Sequence, residues 1–347
     1  MARSDNKPEM QHYVPRVLLK NFAGGKKDGQ VHAFDKHVGK RIPNPTSIAN
    51  LCGERNFNAA DTGQGIVSIE QPLSELEGKA GPVIESILEQ RSLAKLTAAE
   101  RQTLAEFAIV QFLRVPRFQE VQRDIITAML ERAKKIKSDA DLTELEAMLK
   151  KDAIKLRTID QIVTSAATLA TAVNQYKWLL FSTSDDKPFW ISDCPVVMHN
   201  DKTFGPYGNI GFGVRGIQIY MPLSPTLMLG IWETSQADEM KEGYDKAVQR
   251  LKNLRFKRLM DPNVDRAAID QVILEHEAKL QRPAPLVESL ENGTPLKTDD
   301  QNVMFFNSLQ YMWSYRFVLC ASGTFELADR MAKEKPHLKK GLRITTS

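Results

Sequence analysis

The sequence of 347 residues lacks several features that mark whole classes of protein. It has only three cysteines and no Cys-x-x-Cys pair, which argues against a disulfide framework and against a thiolate zinc site. No apolar run approaches the ~18–20 residues of a membrane helix, and the polar start lacks the apolar stretch of a signal peptide. We therefore expect a cytoplasmic protein with no membrane partner.

The motifs of common nucleotide-dependent enzymes and hydrolases are also missing. There is no P-loop, no Gly-x-Gly-x-x-Gly after a strand, no Gly-x-Ser-x-Gly elbow and no His-Glu-x-x-His. ATPases, nucleotide oxidoreductases, serine hydrolases and zinc peptidases are thereby disfavoured. The net charge is only +4, so any contact with nucleic acid would have to come from a local basic patch.

What is present is an ordinary globular composition, with 42% hydrophobic and 26% charged residues. The order of patterns predicts an α+β fold with a small N-terminal β-hairpin region, a helical middle, and an antiparallel sheet with helices in the C-terminal half. We expect one composite domain. Its parts are a mobile arm (1–10), an N-terminal helix and hairpin (11–65), a helical region (66–175), the sheet with helices (176–325) and a weakly ordered basic tail (326–347).

Local signals refine this outline. Pro15 suits the first turn of a short helix, and an extended piece at 55–58 is expected to join the hairpin that starts near residue 30. Thr97 and Glu100 form a capping-box signature, and the helix that they open should stop before Pro116. The segments 178–183 and 189–192 are expected to pair as a hairpin.

Several short motifs, taken in order, resemble one bacterial family, DUF4238. The first is the stretch 11–22, which contains His-Tyr-Val-Pro and ends in Asn-Phe. The later ones are Ile69-Glu70, Leu76-Glu77-Gly78-Lys79-Ala80, the run from Gln111 to Pro116, the run from Ile191 to Val196, and Pro222-Leu223-Ser224-Pro225. Cys194 departs from the pattern, where a small polar residue is expected. Because members resemble genes in phage-defence neighbourhoods, the resemblance implies a nucleic-acid-directed defence protein such as a nuclease.

His12 is the first candidate for a catalytic residue. Histidine in general has a pKa of about 6.5, which suits proton transfer near neutral pH, so His12 could act as a general acid or base. The alternative is structural, with His12 and Tyr13 anchoring the N-terminal segment through hydrogen bonds. No second histidine lies nearby in the sequence, which favours the structural alternative.

Glu77 and Arg114 are the second pair of candidates. Arg114 and Gln111 share one helix face in an otherwise apolar stretch, so their polar groups need partners. Arg114 could clamp a phosphate, or it could form a buried ion pair with Glu77 from the preceding antiparallel helix. Glu70 and Glu77 lie about 10 Å apart on one helix face, where they could share acid/base work or bind a divalent cation. The alternative is a pair of solvated helix glutamates.

Asp193 is the remaining candidate, because it follows a predicted strand, where catalytic and metal-binding carboxylates are common. The alternative is a turn aspartate that bonds its own backbone. No cofactor is identified, although Glu70, Glu77 and Asp193 are the residues that would hold a divalent cation. His32 and His37 lack the matching ligands of a zinc site.

A basic stretch from 246 to 258 contains six Lys or Arg residues and no acid. On a helix, Lys246, Arg250, Arg255 and Lys257 would face outward and could neutralise phosphates. A solvated helix face is the alternative.

Two functional hypotheses follow from these residues. In the first, the protein is a defence nuclease in which His12, Glu77, Arg114 and Asp193 converge in an open cleft. In the second, it is a non-catalytic binding or sensor protein in which the same residues form a structural network. The sequence leaves the oligomeric state open.

Overall fold

The computed structural model describes residues 10–24, 29–135, 142–204 and 208–342. It confirms the predicted α+β class, since long helices occupy the middle of the chain and antiparallel sheets flank them in sequence. Within the described ranges, no helix is both long enough and apolar enough to cross a bilayer. Most of the predicted mobile arm lies outside the described residues, and Met10 already belongs to a strand.

The helices are α1 Arg16–Leu19, α2 Glu70–Gln90, α3 Ala98–Leu113, α4 Pro116–Lys135, α5 Leu142–Met148, α6 Lys151–Asn174, α7 Thr234–Met260, α8 Arg266–Gln281, α9 Ala284–Asn292, α10 Asp300–Trp313 and α11 Glu326–Glu334. The strands are β1 Met10–His12, β2 Gln30–Asp35, β3 Lys40–Arg41, β4 Thr46–Ser47, β5 Gly53–Arg55, β6 Ala59–Asp61, β7 Ile66–Ser68, β8 Lys177–Ser182, β9 Ile191–Ser192, β10 Val197–His199, β11 Gln218–Ser224, β12 Leu227–Trp232, β13 Pro295–Lys297 and β14 Phe317–Cys320.

The helical region follows its sequence signals closely. The hydroxyl of Thr97 accepts a hydrogen bond from the backbone N–H of Glu100, whose carboxylate accepts one from the backbone of Thr97, so the predicted capping box is present. The helix that it opens ends at Leu113, before Pro116. Residues 66–68 are a strand rather than helix, because β7 pairs with β6, and Pro82 lies inside α2 without ending it.

There are two five-stranded sheets in the described structure, and the one with the longer strands, called the larger sheet, packs against these helices. Its order is β10-β11-β12-β8-β13, antiparallel except for β13, which runs parallel to β8. All of β12 is buried, and an apolar cluster joins this sheet to α2, α3 and α6. Gly230 of β12 lies where a Cβ would meet the ring of Phe181 at 2.6 Å, so this close approach requires glycine.

A second sheet has the order β3-β2-β14-β9, with β4 also paired to β2. The predicted hairpin between 178–183 and 189–192 is therefore wrong. β8 belongs to the first sheet, while β9 pairs with β14 of the second, about 125 residues further along the chain. The connection passes from one sheet to the other, anchored where the N–H of Phe189 donates to the carbonyl of Pro225.

Two expectations about the ends of the chain are corrected as well. The piece near Arg55 does not join the hairpin of β2; β5 instead pairs with β1, so it holds the N-terminal segment. The tail is ordered through Leu342 rather than weakly ordered, since α11 and a 3₁₀ turn (Pro336–Lys340) pack Leu338 into an apolar cluster with Phe325 and Met331. Residues 343–347 lie outside the described residues.

Candidate functional site

Arg114 forms the centre of a polar network at the C-terminal end of α3. Its guanidinium is only 2% exposed, and one Nη nitrogen lies 2.7 Å from Oε1 of Glu77 on α2. Its Nε donates to the side-chain oxygen of Gln111 at 3.1 Å, and the Gln111 amide donates to the backbone carbonyl of Tyr13 at 2.7 Å. The predicted ion pair between Glu77 and Arg114 is confirmed, and it ties the helices to the N-terminal segment.

A second set of hydrogen bonds also holds the N-terminal segment. The side-chain oxygen of Gln11 accepts a hydrogen bond from the backbone N–H of Asn58 at 2.8 Å, and the Asn58 side chain donates to Glu70 at 2.7 Å. Glu70 is therefore engaged at the first residue of α2, in a contact separate from the ion pair of Glu77. Both glutamates hold neighbouring parts of the chain.

His12 lies at the end of β1, beside the turn that precedes β5. Its Nε2 is 3.2 Å from the backbone carbonyl of Ala49, and the ring is half-buried. In the described ranges, no hydrogen bond or ion pair joins His12 to Glu77, Arg114 or Asp193. The contact fits the anchoring alternative, while the Nδ1 atom stays without a described partner.

Asp193 lies in the connection that follows β9, and its side chain is fully buried. Its carboxylate accepts three backbone hydrogen bonds, from the N–H groups of Tyr315, Arg316 and Phe317, at 2.8, 2.6 and 2.8 Å. It thus holds the start of β14 rather than its own turn. Burial raises the pKa of Asp193 to about 6, against the opposing effects of these N–H groups and of Lys36.

Lys36 is a buried ammonium group near Asp193 that sequence reasoning missed. It is 1% exposed, and its Nζ donates to the carbonyls of Tyr311 at 2.5 Å and Ser314 at 2.8 Å. Burial lowers the pKa of Lys36 to about 7, against the opposing effect of Asp193. Its place in a turn between two strands resembles that of a solvated lysine, so the sequence carries no signal of its burial.

The four candidate residues therefore occupy three places. Glu77 and Arg114 are paired, Asp193 holds β14, and His12 contacts Ala49. Among the described residues, no group of three or more His, Cys, Asp or Glu side chains is arranged to hold a metal ion. Glu70, Glu77 and Asp193 are each engaged separately, so they do not form a common cation site.

The basic stretch predicted for nucleic acid lies on α7, as expected. Lys246 pairs with Glu242, and Arg255 pairs with Glu277 of α8. By contrast, Arg250 and Lys257 are exposed and make no ion pair with a described residue, and neither does Lys252 between them. The stretch therefore divides into paired and unpaired cations.

Comparison with known proteins gives one family match. A family model described as a protein of unknown function (DUF4238) matches residues 10–324. The chain belongs to this family. The matched range contains all the motifs on which the resemblance was based. Neither the curated proteins nor the solved structures gave a match.

The structure shows where each of the family motifs lies in the fold. The first motif supplies Tyr13 and His12, while the Gln111 motif and the Glu77 motif meet at the Arg114 ion pair. The motif around Asp193 holds β14. These family-matched residues connect the N-terminal segment, the helices and the second sheet.

Proposed function

We propose that this bacterial protein acts in the cytoplasm as a nucleic-acid-directed binding or sensor protein, in which the polar residues form a structural network. The observation that carries the structural role of these residues is the burial of Arg114, which is 2% exposed and already paired with Glu77. A phosphate clamp needs a guanidinium that a phosphate can reach. Arg114 instead serves the packing of α2, α3 and the N-terminal segment.

A phage-defence nuclease with His12 as acid or base is the second candidate. It is favoured by one observation, the partial exposure of His12 together with an Nδ1 atom that has no described partner. A general base must reach the proton that it removes, and the partly exposed ring edge of His12 meets that condition.

The unpaired cations of α7 are the proposed contact with nucleic acid. A cation already bound to a carboxylate has part of its charge neutralised, whereas Arg250, Lys252 and Lys257 keep theirs available for phosphates. Each phosphate contact releases counterions, so binding weakens with salt by a slope of roughly 0.9 per contact on duplex DNA. The paired and the unpaired cations of α7 can therefore be compared within one helix.

Replacing Arg250, Lys252 and Lys257 together with glutamine is expected to weaken nucleic-acid binding and to reduce the salt slope by roughly 2 to 3. The matched control replaces the three paired cations, Lys246, Arg255 and Arg258, with glutamine. Arg258 belongs to this set because it pairs with Asp270. This control removes the same charge from the same helix and should leave most of the slope in place.

Binding would be measured by fluorescence anisotropy with a labelled duplex and a labelled single strand at several salt concentrations. Equal losses of slope in the two triple variants would show that only the overall charge matters. Absence of binding by the wild-type protein at low salt would contradict the proposal.

A further inference from the structure

A cleft of about 570 Å³ lies on one face of the larger sheet, where its strands meet α9 and α10. It is distant in sequence from the polar network of His12 and Arg114, and no family motif described above contributes to it. The volume is within the range of pockets that hold small organic ligands. Its lining combines aromatic rings, a histidine and two cations.

The floor of the cleft is aromatic. Tyr220, Phe305 and Phe306 pack together with ring centroids 4.9 to 6.4 Å apart, and Trp232 lies beside them. Phe305 is only partly buried, so part of its ring is available to a ligand. Such a floor favours a planar ring, since nucleobases stack on aromatic side chains whatever their sequence.

His199 lies on the wall of this cleft in a fixed orientation. Its Nε2 is 2.7 Å from a carboxylate oxygen of Asp201, and its ring packs edge-on against Phe305 at 5.0 Å. With one nitrogen bound to the carboxylate, Nδ1 is left for a ligand group. The His-x-Asp spacing at the end of β10 is the sequence signal that could have identified this residue.

Two cations at the rim of the cleft are available to an anion. Arg282 and Lys297 both line the cleft, both are exposed, and neither makes an ion pair with a described residue. The two acids at the same cleft are engaged, because Asp201 bonds His199 and Asp299 caps α10 by accepting from the N–H of Asn302 at 2.8 Å. Asp201 and Asp299 keep their negative charges, so Arg282 and Lys297 offer an anion two local hydrogen-bond donors rather than a net positive field.

We propose that this cleft binds a nucleotide, with the base against the partly exposed ring of Phe305 and the phosphate contacted by Arg282 and Lys297. The inference rests on the proposed binding function and deepens it by naming the ligand chemistry. A base joined to a phosphate can come from a free nucleotide or from the end of a nucleic-acid strand, and both present the same groups to the cleft.

The test is calorimetric titration of the full chain with the four nucleoside 5′-monophosphates and with the matching nucleosides. Replacing Arg282 and Lys297 together with glutamine is expected to weaken monophosphate binding by roughly tenfold or more, with little effect on a nucleoside. Phe305→Leu, which keeps an apolar side chain, should weaken both. The matched control is Arg266→Gln with Lys279→Gln, two exposed cations on α8 that do not line the cleft.

Short single strands with and without a 5′-phosphate identify the source of the ligand. Binding of monophosphates but not of phosphorylated strands indicates a free nucleotide, and binding of phosphorylated strands indicates a strand end. Failure of all monophosphates to bind at millimolar concentration, or equal weakening by the cleft and control variants, would overturn the inference. Either result leaves the α7 comparison intact, so the two proposals fail separately.

Discussion

Glu77→Ala is expected to lower the free energy of unfolding by about 3–5 kcal/mol, because it removes the carboxylate paired with a buried guanidinium. Arg114 is 2% exposed, and its remaining bond to Gln111 is too weak to compensate for an unpaired buried charge. One of its nitrogens, Nη2, already has no partner among the described residues. The network therefore offers no other carboxylate or carbonyl that could replace Glu77 as the partner of Arg114 among the described residues.

Two further variants make this expectation specific. Glu77→Gln keeps an oxygen that can accept from Arg114, so its loss should be smaller, about 1–2 kcal/mol. Glu89→Ala is the matched control, since Glu89 is an exposed glutamate near the end of the same helix and makes no ion pair with a described residue. Urea unfolding at one pH measures the unfolding free energy of all three variants. A decrease for Glu77→Ala no larger than that for Glu89→Ala would contradict the structural role of Glu77.

Lys36 is expected to make stability rise with pH in the alkaline range. Burial lowers the pKa of Lys36 from 10.5 to about 7, so between these values the unfolded chain holds a proton that the folded chain has released. Stability linked to this group should then increase with pH, by up to about 1.4 kcal/mol per pH unit. Below pH 7 both states are protonated, and the penalty is fully present.

Lys36→Met isolates this effect because methionine does not titrate. The difference in unfolding free energy between wild type and Lys36→Met should change in favour of wild type as pH rises from 7 to about 9.5. Lys40→Met is the control, because Lys40 is an exposed lysine on the next strand. Its unfolding free energy should follow a curve against pH that is parallel to that of the wild type. Parallel curves for Lys36→Met as well would show that Lys36 does not release its proton on folding.

Local sequence signals predicted the helical region and its ion pair well. The capping box of Thr97 and Glu100, the stop before Pro116 and the antiparallel packing of α2 on α3 all depend on residues close in the chain. Arg114 stood in an apolar run, and a charge in such a run needs a carboxylate, which Glu77 supplies from the neighbouring helix.

Contacts between distant segments could not be read from the sequence in the same way. Asp193 bonds the backbone of residues more than 120 positions later, and β9 joins a sheet whose other strands come from both ends of the chain. Lys36 became buried because β2, α10 and the start of β14 meet around it. Alternating hydrophobicity predicts that a strand exists, but it does not select the strand's partner.

The measurement that tests the central claim most directly is cleavage of single- and double-stranded nucleic acid by purified wild type and His12→Ala, at equal folded concentration with magnesium present. His12→Ala loses one partly exposed hydrogen bond, so its unfolding free energy should fall by only about 1 kcal/mol. The account predicts no cleavage above background by either protein and the same nucleic-acid affinity for both. Cleavage by the wild type that disappears in a normally folded His12→Ala would contradict the account and assign His12 to catalysis.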